Sequence, residues 1–235
     1  MLAVSSTDRV FTLAGAGVSA ESGIPTFRGV GGLWRNYRIE EVASPEAWNR
    51  DPRLVWEFYS MRRRVASAAK PNPAHFALAK LEDALQDRLF VCSQNVDSLH
   101  EQAGSRNIVH MHGELFKSRC DTCSRPLFDD TNLYEPPAEV PRCRCGGRIC
   151  PHICWFGEVP FELDQIYHAL DQCTLFMAVG TWGGVVEPAA SFVAQVNGRA
   201  RTIYVGPEKP ANALSFTECY LGKAGEVLPN LFGTL

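Results

Sequence analysis

The segment Phe11-Thr12-Leu13-Ala14-Gly15-Ala16-Gly17-Val18-Ser19-Ala20-Glu21-Ser22-Gly23-Ile24-Pro25-Thr26-Phe27-Arg28-Gly29 carries the first chemistry legible in the chain. Residues 10–14 form a short apolar run expected to be a strand, and Gly15 and Gly17 let the backbone turn tightly and come close to a ligand. Ala20 occupies the third position of a Gly-x-Gly-x-x-Gly/Ala pattern, where a small residue is expected to let a helix pack on that strand. Backbone amides at such a helix start attract phosphate, so the segment is expected to hold a diphosphate. A dinucleotide dehydrogenase would place an acidic residue about 20 residues further on. Here that region reads Gly29-Val30-Gly31-Gly32-Leu33-Trp34-Arg35, a loop. Taken alone, the glycine pattern is also what a purely structural turn would show.

A second group of residues has the types and spacing of a metal site. Cys120-Asp121-Thr122-Cys123 is followed, after nineteen residues, by Cys143-Arg144-Cys145-Gly146-Gly147. This nearly matches the two knuckles of a zinc ribbon, the second being one residue tighter. An isolated Cys-x-x-Cys could be a redox pair, but a second pair at this distance favours zinc. Four thiolates would close the coordination shell and leave no position for an activated water, so the metal is expected to be structural. Cys150 is close enough to replace Cys145, which leaves the fourth ligand open between them. Of the remaining cysteines, Cys92, Cys154 and Cys173 sit in apolar runs, where a reduced thiol acts as a small hydrophobe.

The elements that would position these residues alternate. Further strands are expected at 89–93, 175–180 and 202–206, with helical patterns between them at 73–85 and 189–196. Strands alternating with helices imply a parallel sheet covered on both faces, with ligands beyond the C-terminal strand ends. Gly15-Ala16-Gly17, Gln94-Asn95-Val96-Asp97 and Gly180-Thr181 all fall at such ends. Residues 36–72, rich in arginine and aromatics, and residues 115–156, with the cysteines, break the alternation and read as insertions. The expected fold is therefore α/β: a Rossmann-like large lobe from 1–35, 73–114 and 157–235, and a smaller lobe holding helices (36–72) and a zinc ribbon (115–156).

At 235 residues the chain reads as one domain, and a net charge of −3 supplies no basic field for nucleic acid. No run approaches the ~18 apolar residues needed to span a bilayer, and residues 1–8 lack the pattern of a secretory leader. A cytoplasmic protein with neither membrane nor nucleic-acid partner is expected.

Gly15-Ala16-Gly17-Val18-Ser19 with Pro25-Thr26-Phe27-Arg28, Gln94-Asn95-Val96-Asp97, His112-Gly113, the cysteine knuckles and Trp155-Phe156-Gly157-Glu158 resemble, in order and spacing, the sirtuin family of NAD-dependent protein deacylases. The resemblance runs from about Val10 to Leu228. Tyr59-Ser60-Met61-Arg62 further resembles the Tyr-x-x-Arg signature of class III sirtuins, which remove succinyl, malonyl and glutaryl groups from lysine. A guanidinium beside a phenol can bind the carboxylate ending such a group through charge-assisted hydrogen bonds. Without that context, Arg62-Arg63-Arg64 reads as a solvated charge run.

The resemblance implies a reaction in which nicotinamide leaves NAD, the acyl group passes to ADP-ribose, and free lysine is released. His112 is implied as general base, a task suited to a side chain that titrates near neutrality. Sequence alone does not separate it from His110. Asn95 and Asp97 are implied to position the nicotinamide ribose and carboxamide, Gln94 the neighbouring ribose, and Phe27 to exclude water. The implied NAD contacts also include Gly15, Ala16, Gly17, Ser19, Ala20, Pro25, Thr26, Arg28, Trp34, Gly180, Thr181, Gly206, Glu208 and Ala224. Tyr59, Arg62, Trp155, Phe156, Gly157 and Glu158 would meet the acylated lysine of a protein substrate, the last four as an edge pairing with extended peptide. Cys120, Cys123, Cys143 and Cys145 would hold zinc.

Three departures from the family pattern stand out: Trp182 where a serine is usual, Val205-Gly206-Pro207-Glu208 in place of Asn-x-Glu, and Cys150 where an arginine is common. A plain deacetylase and a catalytically weak NAD or acyl-lysine binding module are the alternatives, the latter resting on Trp182.

Overall fold

The computed structural model describes residues 4–5, 7–26, 33–34, 37–136, 138–181 and 189–233. Among these, six parallel strands form one sheet in the order β11-β10-β9-β1-β4-β5. They are β1 (Val10–Ala14), β4 (Leu89–Ser93), β5 (Ile108–His110), β9 (Leu175–Val179), β10 (Arg201–Gly206) and β11 (Glu218–Leu221). Side chains alternate across β1 with the period of two that an extended chain imposes. Val10 and Ala14 face α5 (Pro73–Leu85) and α9 (Ala224–Phe232), meeting Leu78, Leu81, Leu228 and Leu231. Phe11 and Leu13 face α7 (Leu163–Gln172) and α8 (Phe192–Val196), meeting Ile166, Leu170, Phe192 and Val196. Apolar residues on both faces of β1, β4, β9 and β10 give a three-layer α/β/α arrangement, as the expected fold class requires.

The register brings the working ends of three strands level. Ala14 pairs with Ser93 on one side and Val179 on the other. Gly15, Gln94 and Gly180 therefore leave the sheet together at its C-terminal rim. The connection order reverses at this rim: after β1 the chain builds β4 and β5 to one side, then returns to build β9, β10 and β11 to the other. A crevice at such a switch point is where open α/β sheets bind ligands.

Residues 37–68 and 113–156 contribute most of a second apolar core. It joins α2 (Ile39–Val42), α3 (Pro45–Arg50) and α4 (Pro52–Ala68) to an antiparallel sheet of β6 (Gly113–Cys120), β7 (Phe128–Asp129) and β8 (Ile149–Ile153), with β6 in the middle. A short hairpin of β2 (Leu33–Trp34) and β3 (Tyr37–Arg38) precedes it. Three helices begin in one way: Ser44, Asp51 and Asn72 each accept a hydrogen bond from an amide of the first turn and are followed by Pro45, Pro52 and Pro73. Proline at the first helical position gives up no useful donor, so these pairs fix the starts of α3, α4 and α5.

Buried polar groups pin α4 to the antiparallel sheet and α5 to α1 (Ala16–Ala20). Trp56 Nε1 donates to the Ile149 carbonyl at 2.9 Å. Arg63, fully buried, donates from Nε to Leu115 O (2.8 Å), from Nη1 to Asn132 O (2.7 Å) and from Nη2 to Ser118 Oγ (3.1 Å), and pairs with Asp130 at 3.3 Å. Asn72 Nδ2 donates to Val18 O and Ser22 Oγ, tying the start of α5 to the segment after the glycines.

Three sequence expectations change. The helical pattern at 189–196 is a 3-10 turn (Ala189–Ser191) followed by the five-residue α8. Ala20 is exposed on the short helix α1 (Ala16–Ala20), and Val18 supplies the packing against β1 instead. The arginine run is not a solvated face: Arg62 and Arg63 are buried, and only Arg64, paired with Glu135, is open to solvent.

Candidate active site

The glycine segment is built by close approach of backbone. Gly17 N donates to Gly180 O at 2.8 Å, and a Cβ on either Gly15 or Gly17 would stand 2.8 Å from that same oxygen. Gly180 itself has φ of +63°, and its Cβ would stand 2.5 Å from Val18 N. Any side chain at these positions would push the β1 and β9 loops apart. The glycines therefore lock two strand ends together, and the remaining rim carries the polar groups.

Those groups sit on the loop 94–97 that follows β4. Gln94 N donates to Ala14 O, and Gln94 Nε2 reaches Thr181 Oγ1 at 3.2 Å, spanning from β4 across β1 to β9. Asn95 is buried, and its Nδ2 donates to Gly15 O (3.1 Å) and Ser19 Oγ (3.0 Å). Asp97 is buried and accepts from Leu99 N through Oδ1. Three successive carbonyls of this loop are held by the segment running from β5 into β6. His112 Nδ1 donates to Gln94 O (3.0 Å), His110 Nδ1 to Asn95 O (2.8 Å), and Leu115 N to Val96 O (2.8 Å). Gly113 makes this corner possible: its φ is +86°, and a Cβ there would meet His152 O at 2.2 Å.

This arrangement separates the two histidines. A neutral imidazole has one N–H, so with Nδ1–H on a carbonyl, His112 keeps its lone pair on Nε2. That nitrogen has no hydrogen-bond partner among the described residues. Burial pushes the His112 pKa down, against the opposing effect of the Gln94 carbonyl, so the neutral form is favoured at neutral pH. His110 has both nitrogens taken, Nδ1 by Asn95 O and Nε2 by Glu101 Oε1 at 2.7 Å. Burial alone would lower its pKa, but the Glu101 carboxylate outweighs this and holds it up. His112 has the features of a base, whereas His110 has both nitrogens engaged and its pKa held up.

Tyr59 and Arg62, three residues apart on α4, share one helix face. Tyr59 is buried and its hydroxyl is pushed up to about 12, chiefly by burial. The Arg62 guanidinium carbon lies 5.7 Å from the Tyr59 ring centre and 5.8 Å from that of Phe58. Burial lowers its pKa, and Tyr59 and Asp97 oppose the shift, placing Arg62 within electrostatic reach of the 94–97 loop. The segment 155–158 is a turn after β8: Trp155 is buried, Phe156 is half exposed, and Gly157 has φ of +92°. Cys154 N donates to His112 O and Phe156 N to Ala43 O, so the turn lies between the His112–Gly113 corner and the end of α2. Glu158 is engaged inside the turn, accepting from Trp155 N at 2.7 Å and pairing with Arg119 at 3.6 Å.

The other expected NAD contacts lie along the same rim. Pro25 and Thr26 follow α1, while Gly206 ends β10 and the exposed Glu208 comes two residues later. Ala224 opens α9, whose Gly225 N donates to Glu21 Oε1 at 2.9 Å. Phe27, Arg28 and Trp182 lie outside the described residues, as does the side chain of Trp34.

The four expected zinc ligands converge. The sulfurs of Cys120, Cys123, Cys143 and Cys145 all lie within 4.8 Å of one another. Tetrahedral zinc with bonds of about 2.3 Å requires sulfurs about 3.8 Å apart. Cys120 and Cys145 are 3.6 Å apart, and Cys123 and Cys143 3.8 Å. Thr122 N and Cys123 N point at Cys120 Sγ and favour its thiolate, and Gly147 N points at Cys145 Sγ. Cys150 is instead buried in β8 opposite Arg119, outside the cluster, its thiol pushed up to about 11 by burial. The donor set fits a structural zinc.

Sequence reasoning placed no element at β5, β6, β8, β11, α6 (Leu99–Gln102), α7 or α9, and with them missed the Glu101–His110 pair. Leu163–Gln172 has an amphipathic pattern that could have revealed α7, whereas no local signal marks Glu101 as the partner of His110.

Similarity to known proteins agrees with this geometry. The model of the Sir2 family matches residues 15–188. The NAD-dependent protein deacylase of Escherichia coli (strain K12) is 47% identical over 225 residues, covering 94% of this chain and 80% of that one. Its counterpart in Vibrio cholerae is 48% identical, covering 94% and 91%. A solved Sir2 homologue–NAD complex superimposes with a TM-score of 0.87 at 40% identity, covering 96% and 89% of the two chains. A Sir2 mutant with a deacetylated p53 peptide and 3′-O-acetyl ADP-ribose gives 0.84 at 28% identity, covering 96% and 93%. The family model spans most of the chain, the curated relatives share nearly half its residues, and the fold agrees throughout, so this chain belongs to the Sir2 family.

Proposed function

We infer that this protein is an NAD-dependent protein-lysine deacylase. The observation that carries the reading is His112, with Nδ1–H on the Gln94 carbonyl and Nε2 without a partner among the described residues, at the rim where the glycine loop, Asn95 and Asp97 meet. NAD, when bound, supplies the ribose carbon that accepts the acyl oxygen, and nicotinamide as leaving group. In this reading the Nε2 lone pair of His112 takes a proton from a ribose hydroxyl. Asn95, held by Gly15 O and Ser19 Oγ, and the buried Asp97 orient the nicotinamide end, and Gln94 with Thr181 meets the neighbouring ribose. Gly15, Ala16, Gly17, Ser19, Pro25 and Thr26 line the diphosphate stretch, and Gly206, Glu208 and Ala224 the adenosine end. Trp155, Phe156 and Gly157 face the substrate peptide, and zinc fixes the loops 120–123 and 143–147 without entering the chemistry.

The acyl group read best by this site ends in a carboxylate. Arg62 and Tyr59 present a guanidinium and a phenol in a buried setting, where a charge-assisted hydrogen bond gains most over water. Purified protein incubated with NAD and matched succinyl-lysine and acetyl-lysine peptides, followed by mass spectrometry for nicotinamide and acyl-ADP-ribose, tests both parts. Products from both peptides with succinyl favoured are expected. Acetyl turnover alone would leave a plain deacetylase, and no product from either would refute the enzyme reading.

A further inference from the structure

Glu101 and His110 have no part in the chemistry just described, yet they connect directly to the loop that performs it. His110 is the last residue of β5 and pairs in register with Ser93, the last residue of β4. Its side chain is only 6% exposed and bridges Asn95 O and the Glu101 carboxylate of α6 (Leu99–Gln102). The carbonyl it holds belongs to the residue whose side chain bridges Gly15 and Ser19, and the preceding carbonyl orients His112. Fixing that peptide plane fixes the groups on either side of it.

We propose that Glu101 and His110 form a positioning pair: the imidazolium, clamped by the carboxylate, holds the Asn95 carbonyl and so sets the Asn95 side chain and the His112 tautomer for turnover. The proposal rests on the deacylase reading. Serving both acceptors requires an N–H on each nitrogen, so the clamp exists only while His110 is protonated. Loss of one proton leaves either Nε2 facing the carboxylate or Nδ1 facing the Asn95 carbonyl with no hydrogen between them, so the bridge from Glu101 to that peptide is broken. Other titratable groups near the pair are Glu114 of β6, which supports the cation, and His100 of α6 and His152 of β8, pushed down to about 3 and about 4 chiefly by burial; Lys117 of β6 faces Glu101.

The test compares His110→Ala, His110→Gln and Glu101→Gln. His110→Ala is expected to lower kcat about tenfold with peptide KM little changed, the loss of one charged hydrogen bond. His110→Gln, whose amide can still reach the Asn95 carbonyl, recovers to within about threefold of wild type. Glu101→Gln moves the alkaline limb of the kcat–pH profile down by about one pH unit, leaving the acidic limb of His112 in place. The His110 ring signals by NMR follow the same titration without turnover. If the wild type deacylates nothing, the enzyme reading fails, and the ring titration with NAD affinity still decides the clamp: the titration falls in Glu101→Gln and NAD binding weakens in His110→Ala. Should His110→Ala not fold, the half-exposed Glu101 carries the test. Unchanged kcat and pH profile in folded variants, or an unmoved ring titration in Glu101→Gln, overturns the proposal.

Discussion

Replacing Arg62 by Met keeps an unbranched apolar stem against Phe58 and Tyr59 and removes only the guanidinium. The side chain is 9% exposed, so a substrate carboxylate meeting it there has little water to compete. A hydrogen bond to a charged group contributes about 1.5–3 kcal/mol, which is a factor of about 10 to 150 in rate. The prediction is a fall of that size in kcat/KM for succinyl-lysine peptide, expressed mainly in KM, because the carboxylate is bound equally in ground and transition states. Acetyl-lysine has no group to lose and should stay within about threefold. Parallel titrations of Arg62→Met and wild type with both peptides, at fixed saturating NAD, measure the split. Equal loss on the two peptides would refute carboxylate recognition and make Arg62 a support for the catalytic loop, through its proximity to Asp97.

Asp130→Asn strands the fully buried Arg63 without its counter-charge and should cost about 3–5 kcal/mol, seen as a melting midpoint lower by roughly 10 °C; a change under 2 °C would mean the pair is dispensable. Cys145→Ser should abolish stoichiometric zinc by elemental analysis while Cys150→Ser retains it, and the reverse result would reassign the fourth ligand. Acid should destabilise the fold through His100, whose pKa burial pushes down to about 3 against about 6.5 unfolded. Between those values only the unfolded chain binds the proton, so stability is full above pH 6.5 and falls by about 1.4 kcal/mol per pH unit below it. His75, lowered by burial in the same way, adds to the loss. Urea midpoints that do not change from pH 6.5 to 5 would contradict this.

The sequence alone determined the features whose signals are local. Gly15, Gly17 and Gly180 are legible because only glycine allows such close backbone approach, and the apolar runs at 10–14, 89–93 and 202–206 because a strand buried on both faces is mostly apolar. The cysteine spacing was legible too, since metal geometry restricts where ligands can lie. Tertiary structure decided what depends on partners distant in the chain. The choice of Cys145 over Cys150 came from where β8 runs, and the burial of Arg62 and Arg63 from the packing of α4 on β6 and β8. His110 and His112 are the same side chain two residues apart. Glu101 and the Asn95 carbonyl engage both nitrogens of His110, while the Gln94 carbonyl takes one nitrogen of His112 and leaves the other without a partner among the described residues, because a histidine's role is set by which of its nitrogens its neighbours have already taken.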